Sequence, residues 1–485
     1  MILFRFEPGG IEVSNLKKTL SFSLGTFLSR ITGLFRDMIL AGTFGASSVL
    51  DAYYIAIIFP FFLRRTFAEG AMSSAFLPIY NQLKTREEKE NFASAVLTSL
   101  GLFTVAIVVF SEVFPHLMVT LFATGAEENT KTLAASLLRI TSPFITIVFV
   151  WAVFYSIHNS SHRYFLPALT PMFSNLGVIL GGLTGSVKWA AAGFTLGGLT
   201  GLIVLLPWKE GFRYRPSFKG LSYFYKLFFA TFLTMAVSQI TTIVDVNVAS
   251  FLDPGSLSLI QLSSRLYQLP LGIFGVAVST VALSTLSQTE DYEKDLKDFV
   301  LKNLFLTLPS SIGLFVLSER LISLLFGYGA FTTEAAKRAA EILSMYAVGL
   351  CFVSMFQLLS RAHHAQKKVK LPFKATLLVS FMNIVLDIVL GFTMGAKGIA
   401  LATSLSYMTG FFFLFFKTRL SFDVQILKII AASTVMGITV FLAKDFLPGK
   451  VGTIVLVLLG IAVYFVTGKI LRIKEIKEIF TTGSH

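Results

Sequence analysis

The sequence predicts an all-α membrane protein with about fourteen transmembrane helices. Only 14% of its 485 residues are charged, whereas a soluble globular protein carries about 25%. The mean hydropathy is +0.74, and 54% of the residues are apolar. The apolar runs are about 20 residues long, the length of a membrane-spanning helix, and they lack the two-residue alternation of a membrane β-barrel strand.

Fourteen segments have the length and composition of membrane-spanning helices. An even number of crossings places both termini on the same side of the membrane. In chain order the predicted spans are 20–44, 50–80, 91–114, 132–157, 164–184, 187–208, 224–251, 257–287, 296–318, 334–361, 372–394, 397–416, 424–446 and 451–469.

Basic residues are distributed unequally between the two sets of connecting loops. The loops on the side of the termini carry 27 Lys and Arg residues, the opposite loops carry 8, and six more arginines lie within spans. Because short cytoplasmic loops are enriched in basic residues, both termini are predicted to be cytoplasmic. The formal charge of +14 therefore indicates contact with anionic membrane lipids and not a nucleic-acid-binding surface.

Short motifs recur at separations of 204 to 210 residues. Leu121-Phe-Ala-Thr-Gly-Ala126 is echoed by Leu325-Phe-Gly-Tyr-Gly-Ala330, Pro60 by Pro270, and Asn175 by Asn383. The repeat predicts two six-helix lobes in the same orientation around a central cationic cavity, with two extra C-terminal helices, because repeat transporters bind substrate between their repeats. The expected organisation is an N-terminal extension at 1–16, an N-lobe at 17–208, a cytoplasmic linker at 209–223, a C-lobe at 224–417, appended spans at 418–470 and a cytoplasmic tail at 471–485.

Six arginines and four acids within the predicted spans are candidates for a functional role. A charge near the middle of a bilayer is unfavourable, so such residues normally face a water-filled cavity or a partner. A surplus of arginine favours an anionic ligand, and the planar guanidinium suits phosphate. These residues are Arg30, Arg36, Arg64, Arg65, Arg139, Arg265, Asp37, Glu69, Asp245 and Asp387.

The first span contains the segment Ser29-Arg-Ile-Thr-Gly-Leu-Phe-Arg-Asp37. At 100° per residue, Arg30 and Asp37 point the same way two turns apart, and Arg36 points about 120° away from Arg30. Arg30 either snorkels to the cytoplasmic surface or contributes to the site. Arg36 lies deeper in the span, and we expect it to bind the ligand.

Spans 2 and 8 supply further arginines. Arg65 and Glu69 have the i, i+4 spacing of a helical ion pair, which leaves Arg64 for another partner. Arg265 has no acidic neighbour in sequence, so it either binds an anion or is neutralised by an acid from span 1 or 2. For Arg139, in the outer half of span 4, we expect a structural or snorkelling role.

Oxygen-bearing side chains recur in the second half of the chain. Asp245 lies in span 7, Asn383 and Asp387 are spaced i, i+4 in span 11, and Thr403 lies in span 12. Such hard oxygen ligands suit Na⁺ or a proton relay. Alternatively, each acid is paired with a basic residue or is protonated and hydrogen-bonded.

Chemical catalysis is not predicted. The sequence has no nucleophile–base arrangement, no phosphate-cradling glycine loop and no metal-ligand spacing of histidines, and its loops are too short for an appended catalytic domain. We therefore expect a protein that is not an enzyme and needs no cofactor. Transport would be driven by an ion gradient or by the membrane potential.

These motifs resemble those of the MurJ (MviN) family of lipid II flippases, in the multidrug/oligosaccharidyl-lipid/polysaccharide exporter superfamily. The resemblance covers about residues 17–470 and depends on Ser29–Asp37, Leu50-Asp-Ala-Tyr53, Phe61–Phe76 and Gly398-Ile-Ala-Leu-Ala-Thr-Ser404. It implies a multi-pass protein of the cytoplasmic (inner) membrane that moves the undecaprenyl-pyrophosphate-linked peptidoglycan precursor, lipid II, outward by alternating access. The alternative is a cation-coupled multidrug efflux antiporter of the same superfamily, against which the arginine surplus argues because its cargo is usually cationic.

The resemblance also implies roles for individual residues. Glu69 and Arg361 match a gate on the cytoplasmic side, and the last two spans border a groove for the polyprenyl tail. Lipid II and membrane lipids are the implied partners, cell-wall synthesis proteins are further candidates, and a monomer is expected. The substrate-binding residues implied are Arg36, Arg64, Arg265, Arg30, Asp37, Asp51 and Glu69, and the sodium ligands implied are Asp245, Asn383, Asp387, Thr403 and the carbonyl of Ile399.

Overall fold

The computed structural model describes residues 13–206, 211–418 and 423–476, apart from the side chains of residues 13–23, 68, 69, 234, 237 and 238. Within these ranges the chain is helical and contains no β-strand. The helices form two compact units, residues 13–255 (the N-terminal unit) and residues 256–476 (the C-terminal unit). The prediction of an all-α fold is confirmed.

The N-terminal unit contains eleven helices in its described part, with a π-helical segment, π1, between α2 and α3. Side-chain caps occur at the start of α2, where Ser47 accepts from the N–H of Leu50, and at the start of α4, where Thr85 and Glu88 form a capping box. The bounds are α1 Val13–Phe44, α2 Ser48–Leu63, π1 Arg64–Met72, α3 Ser73–Gln82, α4 Arg86–Val113, α5 Pro115–Phe122, α6 Glu128–Thr141, α7 Phe144–Ser160, α8 Phe165–Leu169, α9 Pro171–Gly182, α10 Val187–Leu205 and α11 Ser222–Ser250.

Prolines interrupt four of the spans that the sequence predicts as single helices, namely spans 2, 4 and 5 and, at Pro270, span 8. Span 4 breaks at Pro143 into α6 and α7, and span 5 breaks before Pro171 into α8 and α9, because a proline has no N–H to donate to the carbonyl four residues earlier. In span 2, Pro60 lies inside α2 and cannot donate to the carbonyl of Ala56. The Thr141 hydroxyl donates to this carbonyl instead, at 3.1 Å, and π1 begins one turn further on.

The C-terminal unit contains nine helices in its described part and a second π-helical segment, π2, again directly after a proline. The bounds are α12 Ser256–Pro270, π2 Leu271–Gly275, α13 Val276–Leu286, α14 Tyr292–Val316, α15 Ser318–Phe326, α16 Thr333–Ala365, α17 Lys370–Met394, α18 Ala396–Thr418, α19 Val424–Ala443 and α20 Gly449–Ile470.

Helices α19 and α20, the two appended spans, pack on α14, and α20 is hydrogen-bonded to it beside a second proline. Pro309 lies inside α14, so the carbonyl of Phe305 lacks its usual helical donor. The hydroxyl of Tyr464 in α20 donates to that carbonyl at 2.8 Å and is buried there. Both units therefore use a hydroxyl from a neighbouring helix to satisfy a carbonyl that a proline has left without a donor.

The elements that carry the sequence repeat have the same local form in both units. A π-helical segment follows both Pro60 and Pro270 at a distance of less than two turns, and the two Gly-Ala motifs each follow a short helix, α5 or α15, and precede a longer one. Helix α11 packs against π1, α3 and α5, so in packing it belongs with the N-terminal unit, although the sequence places it at the start of the C-lobe. The expected lobe boundaries stay predictions.

Among the described residues, eleven helical segments are long and apolar enough to cross a membrane, and they coincide with predicted spans 3 to 6 and 8 to 14. Helices also occupy the positions of spans 1, 2 and 7, namely α1, α2 with π1 and α3, and α11. The chain is thus a multi-pass membrane protein, and the count of fourteen spans stays a prediction.

Candidate functional site

A buried ionic network lies within the N-terminal unit, where α1 packs against α9. The Arg36 guanidinium donates to Oδ1 of Asp37 through Nε at 2.9 Å and through Nη2 at 2.6 Å. Its Nη1 donates to Oδ1 of Asn175 at 3.1 Å. Arg36 is 7% exposed and Asp37 is 1% exposed, so the pair is removed from solvent and depends on this hydrogen bonding for its stability.

The Arg36 side chain does not point in the direction that helical geometry predicts from the sequence. Helical geometry alone places Arg36 and Asp37 on different faces of α1, yet the two side chains are bonded. The reason is the length of the arginine side chain, which reaches round the helix to its neighbour's carboxylate. Arg36 is therefore an ion-paired residue in this structure.

Asn175 joins this pair to the backbone of α1. Its Nδ2 donates to the carbonyl of Ser29 at 3.0 Å and contacts the hydroxyl of Thr32 at 3.2 Å. Because the same amide accepts from Arg36, one side chain of α9 sets the position of both the guanidinium and the turn of α1 that precedes it. This role of Asn175 was not predicted from the sequence, where the residue served only to mark the repeat, although an amide within an apolar span is itself a signal.

The other cations of the N-terminal unit have more open surroundings. Arg64, the first residue of π1, is half-buried with its guanidinium carbon 6.0 Å from the ring centroids of both Phe61 and Trp151, which is the range of a cation–π contact. Arg30 and Arg65 are exposed. The side chain of Glu69 lies outside the described residues, so its predicted pairing with Arg65 stays a prediction.

Arg139 is also exposed, near the end of α6. Glu112 of α4, an acid that was not among the predicted site residues, accepts from the hydroxyl of Ser142, three residues after Arg139, at 2.6 Å. A carboxylate within a predicted span was the available signal.

Asp51 holds the far end of α11 against the start of α2. Its Oδ2 accepts from the backbone N–H of Gly255 at 2.6 Å, and Asp51 is buried. Gly255 has φ +87°, and a Cβ there would lie 2.5 Å from the carbonyl oxygen of Ala46, so only glycine fits. The Asp51 expected from the resemblance therefore forms a closed backbone contact within the N-terminal unit.

The loop after α5, which carries the first Gly-Ala motif, contacts the same end of α11. The amide of Asn247 donates to the carbonyl of Leu121 at 3.0 Å and accepts from Thr124, and the N–H of Gly125 donates to Ser250 at 3.0 Å. These bonds tie α11 to the loop from two successive turns.

Arg265 and Arg361 lie in the C-terminal unit. Arg265 is half-buried in α12, one turn before Pro270 and π2. Arg361 of α16 donates to the hydroxyl of Thr280 in α13. The predicted convergence of Arg265 with Arg36 and Arg64, and the predicted pairing of Arg361 with Glu69, stay predictions.

Four of the five expected sodium ligands lie on the α17–α18 hairpin of the C-terminal unit. Asp387 is fully buried and Asn383, one turn earlier, is 6% exposed. The hydroxyl of Thr403 donates to the carbonyl of Ile399 at 3.2 Å. Asp245, the fifth, is half-buried in α11.

The packing register of the hairpin places these groups at a similar depth. A Cβ on Gly398 would lie 1.9 Å from the Leu390 carbonyl oxygen, and one on Gly410 would lie 2.3 Å from Val379. In an antiparallel pair with this register, Thr403 lies at a level between Asn383 and Asp387. No group of three or more His, Cys, Asp or Glu side chains placed to hold a metal occurs among the described residues, so a cation here would depend on amide, hydroxyl and carbonyl oxygens beside the carboxylates.

The fold places the chain in a known class of membrane protein. An inward-facing multidrug resistance MATE family transporter of the MOP superfamily matches it with a TM-score of 0.66 over 83% of this chain and 96% of that one, at 13% identity. At this identity the likeness shows the fold alone. The chain is a helical integral membrane protein whose fold is similar to that of this transporter.

Closer relatives define the family. The profile of the family described as "Lipid II flippase MurJ" matches residues 40–467. A "Probable lipid II flippase MurJ" of Thermotoga maritima is 70% identical over 98% of this chain and 100% of its own length, and a "Lipid II flippase MurJ" of Thermosipho africanus is 43% identical over 94% and 97%. A structure titled "Lipid II flippase MurJ, inward closed conformation" matches with a TM-score of 0.87 and 43% identity over 93% of this chain and 98% of that one. The chain belongs to the lipid II flippase MurJ family.

Proposed function

We propose that this protein moves lipid II from the inner to the outer leaflet of the cytoplasmic membrane by alternating access, and that an ion gradient or the membrane potential drives the step. The observation that carries the proposal is the buried guanidinium of Arg36, held in place by Asp37 and Asn175 inside a membrane protein. The names of the family's members supply the substrate.

Arg36 keeps hydrogen-bonding capacity for a phosphate. A guanidinium has five N–H donors, and three of them serve Asp37 and Asn175. One donor on Nη1 and one on Nη2 make no hydrogen bond within the described residues. Guanidinium N–H groups form charge-assisted hydrogen bonds with phosphate oxygens, so the pyrophosphate of the substrate would add to the existing network without breaking it.

The remaining cations would share the charge of the headgroup. Arg64 and Arg265 would contribute from π1 and α12, and Arg30, exposed on the earlier part of α1, would receive the headgroup first. Asp37 and Asp51 would act indirectly, by fixing Arg36 and the end of α11. Glu69 and Arg361 would close the cytoplasmic side, and the polyprenyl tail would stay in the bilayer beside α19 and α20.

A cation site on α17 and α18 would couple transport to an ion gradient. Asp387, Asn383, Thr403 and the carbonyl of Ile399, together with Asp245, would bind Na⁺, or the acids would bind a proton. Occupancy of this site would favour one conformational state over the other, since a ligand shifts an equilibrium only through its different affinities for the two states.

Multidrug efflux is not favoured as the function. The cationic residues of α1, π1 and α12 oppose a cationic cargo, and the similarity to MATE transporters is at the level of fold. The protein would be a monomeric, multi-pass transporter of the inner membrane with both termini in the cytoplasm, without a cofactor and without an enzymatic activity. Lipid II and membrane lipids are its proposed partners, together with proteins of cell-wall synthesis.

The decisive experiment measures lipid II binding and transport by the purified protein. Arg36→Ala, Arg64→Ala and Arg265→Ala are each expected to weaken binding in a headgroup-dependent manner and to fail to restore growth in cells depleted of their own flippase. Arg139→Ala, an exposed arginine of α6, is the matched control and should behave as wild type. Wild-type affinity in all three cavity variants would show the anion-binding role to be wrong.

A further inference from the structure

An apolar cavity opens at the surface of the N-terminal unit, between α4 and α11. It is a cavity of about 360 Å³ lined by Ser99, Leu100 and Phe103 of α4 and by Tyr225, Phe228 and Phe229 of α11. For scale, a dry apolar cavity of about 150 Å³ is large enough to hold benzene. This cavity is therefore large enough for several carbons of a hydrocarbon chain.

The helix faces around the cavity are exposed and apolar. Leu102, Phe103 and Val105 of α4 and Phe229 and Leu233 of α11 all have large exposed fractions. In a chain that crosses the bilayer, such faces contact lipid, so the space between them is open to hydrocarbon chains.

Two of the lining rings, Phe103 and Phe228, pack against Phe67 of π1. The ring of Phe67 lies 6.3 Å from that of Phe103 and 5.5 Å from that of Phe228, centroid to centroid. Phe67 itself is buried. A chain seated in the cavity would thus touch residues that pack directly on the π-helical segment carrying Arg64.

A polar and basic segment, residues 211–221, lies beside one end of the cavity. The N–H of Arg215 donates to the hydroxyl of Ser94 at 3.1 Å, and the hydroxyl of Tyr214 bonds that of Thr98, next to the lining residue Ser99, at 2.9 Å. Tyr214 contacts α4 one residue before Ser99, whereas Arg215 contacts it five residues before Ser99, a distance of about 7.5 Å at about 1.5 Å rise per residue. This separation suits a lipid whose headgroup is at the membrane surface and whose chain extends inward.

The segment and the adjoining helix starts carry a surplus of positive charge. Residues 84–90 and 211–226 contain seven Lys and Arg residues against three Glu residues. The three glutamates are already used: Glu87 pairs with Arg215, Glu90 pairs with Arg86, and Glu88 caps the start of α4. Arg213, Lys219 and Lys226 are exposed and take part in no ion pair among the described residues.

We propose that this cavity is a binding site for an anionic diacyl phospholipid of the surrounding leaflet. One acyl chain occupies the space between α4 and α11, and Arg213, Lys219 and Lys226 hold the phosphate at the surface. A basic side chain near a membrane surface attracts anionic lipid, whereas a zwitterionic lipid gains little from it. The site is separate from the buried Arg36 network and does not depend on the proposed transport function.

The first test uses the unaltered full-length protein in nanodiscs. A phosphatidylglycerol with a photoreactive group in its acyl chain should label peptides containing residues 99–103 and 225–229 more strongly than the more exposed positions Leu180 and Leu183. A phosphatidylcholine with the same chain should label them less. Equal labelling by the two lipids, or equal labelling of the two surfaces, would overturn the proposal. Stronger competition by a polyprenyl phosphate than by phosphatidylglycerol would assign the cavity to a prenyl chain instead.

The second test counts the lipids retained by variants in native mass spectrometry. Replacing Arg213, Lys219 or Lys226 by Gln should lower phosphatidylglycerol retention by about fivefold for each side chain changed. Ser99→Phe should fill the cavity and abolish selective retention, while Val109→Phe, at an exposed position on the same helix, should not. Wild-type retention in a monodisperse Ser99→Phe protein contradicts a chain-binding cavity.

Discussion

Asn175 and Asn383 hold related places in the two halves of the sequence, but their surroundings differ. Asn175 bonds a guanidinium, a backbone carbonyl and a hydroxyl, and the arginine it bonds is also paired with Asp37. Asn383 is equally buried beside the fully buried Asp387, and its Nδ2 has no hydrogen-bond partner among the described residues. The N-terminal position contains its own cation, whereas the C-terminal one joins a carboxylate and an amide with no arginine or lysine within a turn of them in sequence.

This difference is consistent with different ligands at the two positions. A buried cation with two N–H groups to spare is suited to an anionic cargo. A buried carboxylate near amide, hydroxyl and carbonyl oxygens is suited to a small cation. The same place in the repeat would then serve the cargo in one half and the coupling ion in the other.

The largest expected effect tests whether the N-terminal network is a completed ion pair. Asp37→Leu should lower the free energy of unfolding by about 3–5 kcal/mol, because it leaves the Arg36 charge buried without its carboxylate. The double variant Arg36→Met, Asp37→Leu should recover much of this loss while remaining inactive in lipid II transport. Chemical unfolding in detergent micelles measures both. If the double variant is less stable than Asp37→Leu, the two side chains are not an interdependent pair.

The next prediction concerns the C-terminal position. Na⁺ should raise the unfolding temperature of the wild-type protein, with about 2.7 kcal/mol of stabilisation at a concentration one hundred times the Kd. Asp387→Asn should abolish the dependence on Na⁺, and Asn175→Leu should leave it intact. Choline chloride at equal ionic strength is the control. A sodium response that persists in Asp387→Asn would remove the cation from this position.

A finer test compares the replacement of each asparagine by leucine. Asn175→Leu deprives Arg36 of one of its partners and should weaken lipid II binding by about 1.5–3 kcal/mol, the range for a hydrogen bond to a charged group. Asn383→Leu should weaken the Na⁺ response and leave lipid II affinity in the absence of Na⁺ unchanged. Isothermal titration with each ligand separates the two outcomes. Equal loss of lipid II affinity in both variants would mean that the halves do not divide the ligands between them.

The sequence predicts a large part of this molecule because membrane helices are specified by long apolar runs. The all-helical fold and the family follow from such runs and from the motifs of α1 and α2. The bond between Arg36 and Asp37 did not follow, because helical angles describe where Cβ points and not how far a long side chain can reach. The breaks at Pro143 and Pro171 were also missed, since hydropathy averages across them.

Packing between helices distant in sequence was equally beyond prediction. The sequence analysis places α11 with the C-lobe, whereas it packs on π1 and α3 of the N-terminal unit. The contacts responsible, such as those of Asn247 with Leu121 and of Phe251 with Gly125, join ordinary loop and helix-end residues. No single-residue signal identifies such partners before the fold is known.

The smallest expected effect returns to a feature that the two units share. Thr141→Val leaves the Ala56 carbonyl without a donor at Pro60, and Tyr464→Phe does the same for the Phe305 carbonyl at Pro309. Each should lower the free energy of unfolding by about 1–2 kcal/mol, because a buried acceptor loses its partner while the side chain keeps nearly the same volume. Tyr223→Phe, on an exposed residue of α11, is the control and should have almost no effect. The threonine lies in the N-terminal unit and the tyrosine on an appended helix. A loss of stability in only one variant would therefore show that the hydroxyl bond to the carbonyl four residues before the proline matters in one unit and not in the other. Equal losses would mean that this part of the architecture, unlike the asparagine positions, serves the same purpose in both.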